Sequence, residues 1–127
     1  MRIIRGEIPC YKIAEDEHCL AFLDINPLAK GHTLCIPKKE VDYIFDLDSD
    51  TYALLMAFSK KVSVGLEKTV ECERIGMTVI GLEVPHAHVH LIPINSITDM
   101  DFSQPKLSLS SHEMQELARK ISRRIKG

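Results

Sequence analysis

Several features are scarce in this chain of 127 residues, and each absence argues against a class of function. The net charge is only -2, from 16 basic and 18 acidic residues, so no strong positive field exists to hold a nucleic acid along a groove. No apolar run approaches the ~18 residues that a membrane span needs, and no apolar leader follows Met1. We therefore expect a cytoplasmic protein that binds neither nucleic acid nor membrane.

Cysteine pairs, repeats and linkers are missing as well. The chain lacks tryptophan and has four cysteines, at positions 10, 19, 35 and 72, with no C-x-x-C spacing. Without a secretory signal, these residues are predicted to be reduced thiols. Hydrophobic residues make up 45% and charged residues 27%, which is typical of a globular protein. We predict a single domain over residues 1–127.

The residue pattern predicts alternating groups of strands and helices. The predicted strands cover residues 11–15, 19–25, 32–37, 75–80 and 84–94. A central helix is predicted over 51–70 behind a cap at Asp48 or Ser49, and a C-terminal helix follows the capping box of Ser110 and Glu113. Residues 1–6 are predicted to form a helical turn, and 96–109 a loop. Short connections favour an α+β fold with an antiparallel sheet of about five strands.

Three histidines alternate in the last predicted strand. Because side chains on a strand alternate between its faces, His86, His88 and His90 are predicted to share one face, while Ala87, Val89 and Leu91 face the core. Neighbouring rings lower each other's pKa, so we expect a mixture of neutral and charged imidazoles at neutral pH. A neutral ring is a nucleophile and a charged ring donates to an anion.

Three interpretations of this row compete. The rings could simply be solvated on a sheet face. They could hold zinc or iron, although Ile92 and Pro93 stand where such a site would place a carboxylate. The third interpretation is attack on phosphorus by one ring while the others stabilise charge. The remaining histidines lack such a context, and we expect His18 and His112 to face solvent.

The segment His86-Ala87-His88-Val89-His90-Leu91-Ile92 resembles the signature of the histidine-triad (HIT) superfamily. Segments 4–9, 15–27 and 31–38 are similar to the Hint-like branch in the same order, so the resemblance covers about residues 3–95. It implies a HIT-like α+β fold, a homodimer, and a purine nucleotide substrate. It also implies hydrolysis or transfer at the α-phosphorus of nucleoside phosphoramidates or related conjugates, through a nucleotidyl-histidine intermediate and without a metal or other cofactor.

The resemblance also implies roles for individual residues. His88 would be the nucleophile and His90 would donate to the phosphate, while His86 would orient the site and pair with His32. Asp24 would accept the ribose hydroxyls, as two carboxylate oxygens can. Apolar side chains would form the slot for the base, namely Ile8, Phe22, Leu23, Ile25 and Leu34.

The chain departs from the family pattern before the triad. Leu82 and Glu83 stand where relatives carry a Gln and a Ser that contact phosphate, and Glu40 stands where relatives often have another His. Leu82 cannot donate a hydrogen bond, and Glu83 would repel a phosphate. Two alternatives therefore stay open: a dinucleoside polyphosphate hydrolase, and a non-catalytic nucleotide-binding module.

Overall fold

The computed structural model describes residues 10–126 of the chain. Within these residues lie five strands and two α-helices: β1 (Lys12–Glu15), β2 (Cys19–Leu23), β3 (Thr33–Pro37), α1 (Ser49–Thr69), β4 (Arg74–Thr78), β5 (Val89–Ile94) and α2 (Ser111–Lys126). Short 3-10 helices at Ile44–Asp46 and Ile97–Met100 lie in the connections. The α+β prediction is confirmed. The turn predicted for residues 1–6 lies outside the described residues.

The strands form one antiparallel sheet in the order β1-β2-β3-β5-β4. The long connection through α1 carries the chain across the sheet from β3 to the opposite edge, and the return places β5 between β3 and β4. Leu34 of β3 and Thr78 of β4 both pair with His90 of β5. The triad therefore reaches the middle of the sheet, where strands on both sides hold its register.

Both helices cover one face of the sheet. Asp48 caps α1 by accepting the Thr51 N–H at 3.1 Å. The helices approach so closely that a Cβ at Gly65 would lie 2.9 Å from the Ile121 carbonyl oxygen, which only glycine avoids. The main core lies between the helices and the sheet and includes Ala87, Val89 and Leu91, as the alternation predicted.

The other face of the sheet has a small cluster of its own. Leu20, Phe22 and Ile36 are buried there, with Leu34 and Cys10 packed against them. All four cysteines are free, as expected. Within residues 10–126, no helix is both long and apolar enough to cross a membrane.

Three predictions about elements were wrong. The strand predicted over 84–94 begins only at Val89, because the Ala87 N–H donates to the Val41 carbonyl (2.7 Å) outside the sheet. The predicted loop contains the 3-10 helix Ile97–Met100, which begins with a capping box between Ser96 and Asp99. The strand predicted over 19–25 ends at Leu23, so Asp24 and Ile25 lie in the following turn.

Candidate active site

His90 occupies the sheet face that the helices leave uncovered. It pairs with Leu34 across β3 and β5, and both side chains point away from the main core. Its ring is 7% exposed and lies edge-on to Phe102, with ring centroids 4.8 Å apart. The position of His90 is therefore set by the sheet, and its ring is enclosed by residues from another segment.

A tight turn between β2 and β3 delivers two further site residues. Gly31, at φ 94°, permits a turn in which the His32 N–H donates to the Ala29 carbonyl (3.0 Å). The Asp24 N–H donates to the His32 carbonyl (2.9 Å), which brings the two side chains together. His32 Nε2 lies 3.6 Å from the nearer Asp24 oxygen. The turn thus fixes an imidazole and a carboxylate beside the triad.

Hydrogen bonds assign the proton on His32 and His90. The Leu28 N–H can only donate, so Nδ1 of His32 accepts it (3.0 Å) and the ring proton lies on Nε2. That Nε2–H donates to Nδ1 of His90 (3.0 Å). His90 therefore keeps its own proton on Nε2. The expectation that His32 pairs with His86 was wrong, because the β3–β5 register brings His90 beside His32.

His88 has the opposite tautomer. Its Nδ1–H donates to the His86 carbonyl (2.8 Å), so Nε2 is the ring nitrogen that carries the lone pair when the ring is uncharged. The His88 and His90 rings lie 4.8 Å apart, at 68° to each other. An imidazole with a free lone pair therefore lies beside an imidazole that offers an N–H.

His86 does not share a common face with the other two histidines. It precedes β5 and is 2% exposed, and its Nε2–H donates to the Pro37 carbonyl (2.7 Å). That hydrogen bond ties the segment before β5 to the end of β3. His86 thus fixes the backbone whose carbonyl orients His88, and the prediction of three aligned rings was wrong at this position.

Burial is the main cause of the shifted pKa values. Burial lowers the pKa of His32 to about 3 and, with a smaller contribution from His88, the pKa of His90 to about 4. The pKa of His86 is also lowered by burial. Burial raises the pKa of Asp24, against the hydrogen bond from the Asn26 N–H. His32 and His90 are therefore neutral at pH 7, and the expected repulsion between rings contributes less than burial does.

Asp24, His32 and His90 also meet the spacing of a metal site. One ligand atom from each lies within 4.8 Å of the others. However, the Leu28 N–H occupies the lone pair at Nδ1 of His32, so the proton lies on Nε2, the atom that would face a cation. A metal there would leave an imidazolate. The donor set therefore favours a hydrogen-bonded chain over a metal centre.

A cavity of about 350 Å³ lies over these groups. Its floor, as we name it, consists of Asp24, His32, Leu34, His88 and His90. Its rim consists of residues 80–84 together with Phe102 and Lys106, while Asn26 completes the lining. Leu82 in the rim is 88% exposed.

The predicted base slot is brought together only in part. Leu34 lines the cavity and Phe22 packs with it on the same sheet face. Leu23 belongs to the main core, because adjacent strand residues point to opposite faces. Ile25 is 70% exposed and lines a separate cavity beside α2. Leu23 and Ile25 are therefore corrections to the prediction, and Ile8 lies outside the described residues.

Phe102 and Lys106 were missed by sequence reasoning. Both lie in the segment between β5 and α2, which has no periodicity that would predict a structure. The available signal was that this segment contains one aromatic residue and one lysine. His18 and His112 are exposed, as predicted.

The fold and the His-x-His-x-His site define the protein as one of the histidine-triad class. Known proteins agree with this assignment. The family model described as HIT domain matches residues 5–97. An uncharacterized HIT-like protein of Borreliella burgdorferi is 36% identical, over 98% of this chain and 95% of its own. The protein belongs to the HIT family.

Two further relatives are informative. The adenosine 5'-monophosphoramidase of Schizosaccharomyces pombe is 35% identical, over 98% of this chain and 96% of its own. A solved structure of a hypothetical histidine triad nucleotide-binding protein from Sulfolobus tokodaii superimposes with a TM-score of 0.83. It is 31% identical and covers 98% of this chain and 89% of that one.

Proposed function

We propose that this protein hydrolyses or transfers the nucleotidyl group of purine nucleoside phosphoramidates or related conjugates, through a nucleotidyl-histidine intermediate. The observation that carries the proposal is the tautomer of His88. Its Nδ1–H is engaged by the His86 carbonyl, so Nε2 is the nitrogen available for attack, and the ring of His90 lies 4.8 Å away between centroids. The monophosphoramidase name of the S. pombe relative supports the same reaction class.

The reaction proceeds in two displacements at the α-phosphorus. Nε2 of His88 forms a bond to phosphorus, and the bond from phosphorus to the leaving nitrogen breaks with its electron pair on nitrogen. Water then attacks phosphorus, the bond to Nε2 breaks, and the nucleoside monophosphate leaves. The Nε2–H of His90 donates to a phosphoryl oxygen as charge accumulates there. The His86 carbonyl supports the positive charge that develops on the His88 ring.

The leaving nitrogen also needs a proton. The sequence predicted a mixture of neutral and charged imidazoles, but the low pKa values of His32, His86 and His90 keep these rings neutral. We therefore assign this proton to solvent at the exposed rim. An amine that takes a proton from water is a suitable leaving group for this cavity.

The charge of the cavity favours a phosphoramidate over a dinucleoside polyphosphate as the substrate. The carboxylates of Asp24 and Glu83 both face the cavity, and their charges interact. A chain of further phosphates would meet this negative potential, whereas a neutral amine would not. The charge therefore favours a small uncharged leaving group over a polyphosphate.

Binding of the nucleoside moiety rests on two groups. The Oδ1 atom of Asp24 accepts the Asn26 N–H, and its Oδ2 atom lies towards His32, so the carboxylate is fixed beside the floor. Its remaining lone pairs are suited to a ribose diol. Leu34 offers apolar surface next to it, backed by Phe22. We place the base against this pair.

Trapping the intermediate tests the proposal. The wild-type protein, quenched during turnover of adenosine 5'-phosphoramidate, should gain the mass of one adenylyl group on a peptide that contains His88. His88→Ala should lose turnover and the adduct, while His112→Ala, a matched change at an exposed histidine, should keep both. Turnover without an adduct, or equal rates in wild type and His88→Ala, would contradict the mechanism. AMP binding without turnover of any such conjugate would favour the non-catalytic module.

We also propose that the protein is a homodimer through the β4 edge of the sheet. A cavity of about 520 Å³ lies beside β4. Its lining includes four large apolar side chains that are each at least 47% exposed, namely Tyr43, Phe45, Met77 and Ile80. Such a patch next to an edge strand is a site for pairing with another chain. Light scattering should give twice the chain mass, and Met77→Asp should give the monomer. A monomeric wild type would contradict this.

A further inference from the structure

The segment between β5 and α2 extends past the end of the HIT match at residue 97 and lies over the cavity. Phe102 contacts the edges of two floor rings, with centroids 4.8 Å from His90 and 6.0 Å from His32. The Leu107 N–H donates to the Pro27 carbonyl (2.8 Å), which fastens the segment to the turn that carries Asp24. This anchoring keeps Lys106, between those two contacts, at the cavity.

The charges around the cavity are unbalanced. Its lining contains the carboxyl groups of Asp24 and Glu83, and among the described lining residues Lys106 is the one lysine or arginine. Two of the floor imidazoles do not compensate, because His32 and His90 are neutral at pH 7. A phosphate that enters the cavity therefore meets a single permanent cation.

The ammonium group of Lys106 is already oriented. Its Nζ donates to the Phe102 carbonyl (2.5 Å) and to the Gln104 carbonyl (3.1 Å) of its own segment. An ammonium has three N–H donors, so one remains for an anion. Its charge also lowers the pKa of Asp24 and of His32, which agrees with its position next to the floor.

Two side chains in the opposite part of the rim offer no hydrogen-bond donor to a phosphate. Leu82 has no polar side-chain atom, and the carboxylate of Glu83 repels an anion. These two positions are those at which the sequence departs from the expected phosphate contacts. Side-chain donors that replace those two contacts must therefore come from another segment.

We propose that Lys106 binds the phosphate group of the nucleotide and so replaces the contacts that the residues at 82 and 83 do not make. This inference rests on the proposed nucleotide function. It assigns specificity for phosphorylated over unphosphorylated nucleosides to a residue outside the family match.

Calorimetry with AMP and adenosine tests this assignment without requiring turnover. Lys106→Met should weaken AMP binding about tenfold, a loss of about 1.4 kcal/mol, and leave adenosine binding unchanged. Lys106→Arg should keep most of the affinity for AMP, because the charge remains. Lys60→Met removes an exposed lysine of α1 and controls for net charge. The difference in AMP affinity should shrink at high salt, because the lysine is exposed.

Each outcome decides the inference. A parallel loss of AMP and adenosine affinity in a folded Lys106→Met protein would show a structural role and overturn it. Unchanged AMP affinity, or an equal loss in Lys60→Met, would also overturn it. If the wild type binds neither AMP nor adenosine, the proposed nucleotide function is itself wrong and the inference fails with it.

Discussion

The floor and the rim of the cavity differ in the exposure of their side chains and in the hydrogen bonds that hold them. At the floor, His32 and His90 are 1% and 7% exposed, and hydrogen bonds assign the proton on each ring. At the rim, Leu82 is 88% exposed and the Nζ of Lys106 donates to carbonyl groups of its own segment. The floor is built from the sheet and its tight turn, whereas the rim comes from two connections.

This difference separates two tasks. Groups that must hold a defined protonation state lie at the floor, where burial keeps the imidazoles neutral. Groups that select the leaving group or the phosphate lie at the rim, where a substitution leaves the sheet intact. Changes at the floor should therefore cost activity and stability, and changes at the rim should alter affinity and selectivity.

Among the groups around the attacking ring, the largest effect is expected at His90. His90→Ala removes the N–H beside the attacking ring and should lower kcat for a phosphoramidate by about 100-fold, the usual loss for one such donor. Steady-state assays measure this, with His18→Ala as the control at an exposed histidine. Because Nε2–H of His32 loses its acceptor as well, AMP binding should be measured to show that the cavity persists. A kcat within about threefold of the wild-type value would contradict the role of His90, because the loss of one such donor usually lowers kcat far more.

The second effect is the pH dependence of stability. Below pH ~6.5 the unfolded chain protonates its histidines, whereas His32 and His90 stay neutral in the folded state down to pH about 3 and about 4. The unfolded state then binds more protons, so the free energy of unfolding should fall between pH 7 and pH 5 by about 2 kcal/mol for each ring. Urea titrations of wild type and His32→Gln measure this.

The variant should show the smaller pH dependence, and His18→Gln should match the wild type. Equal pH dependence in His32→Gln and wild type would mean that the buried histidine is not held neutral by the fold.

A smaller effect is expected where rim and floor meet. Phe102→Ala removes the edge-to-face contact with His90 and admits water to the floor, so it should cost about 1 kcal/mol of stability. Since burial lowers the pKa of His90, that pKa should rise in the variant. An NMR titration of the histidine side chains measures the shift. An unchanged His90 pKa would show that Phe102 does not enclose the ring.

The smallest effect is expected at Leu82. Its side chain is almost fully exposed, so Leu82→Ala should change the free energy of unfolding by less than about 0.5 kcal/mol. Phosphoramidate turnover should also stay near the wild-type value, because the side chain has no donor to lose. Thermal unfolding and a steady-state assay check both. A large loss of activity would show that the rim takes part in the chemistry, and would contradict the assignment of the chemistry to the floor alone.

Periodicity was sufficient to predict the architecture and the location of the site. Alternation placed Ala87, Val89 and Leu91 in the core, and the capping box of Ser110 and Glu113 marked the start of α2. The alternation of the three histidines was visible in the same way. These features depend on local spacing, which a sequence displays directly, whereas Asp24 was added to the site through the resemblance to the HIT superfamily.

Partners that depend on register could not be predicted in the same way. His32 pairs with His90 because β3 and β5 align Leu34 with His90, and no local spacing encodes that alignment. His86 does not lie on the same face as His90, because β5 begins at Val89, three residues after His86. Phe102 and Lys106 reach the cavity through an irregular segment whose path is set by contacts such as that of Leu107 with Pro27.

The most direct test of the central claim is a nitrogen-resolved NMR spectrum of the imidazole rings at pH 7, with the ligand-free protein. The hydrogen-bond chain predicts neutral rings with the proton on Nε2 for His32 and His90, and an Nδ1–H on His88. His88 would then keep a nucleophilic Nε2. A His88 ring protonated on Nε2 alone, or a charged His90 at pH 7, would contradict the mechanism.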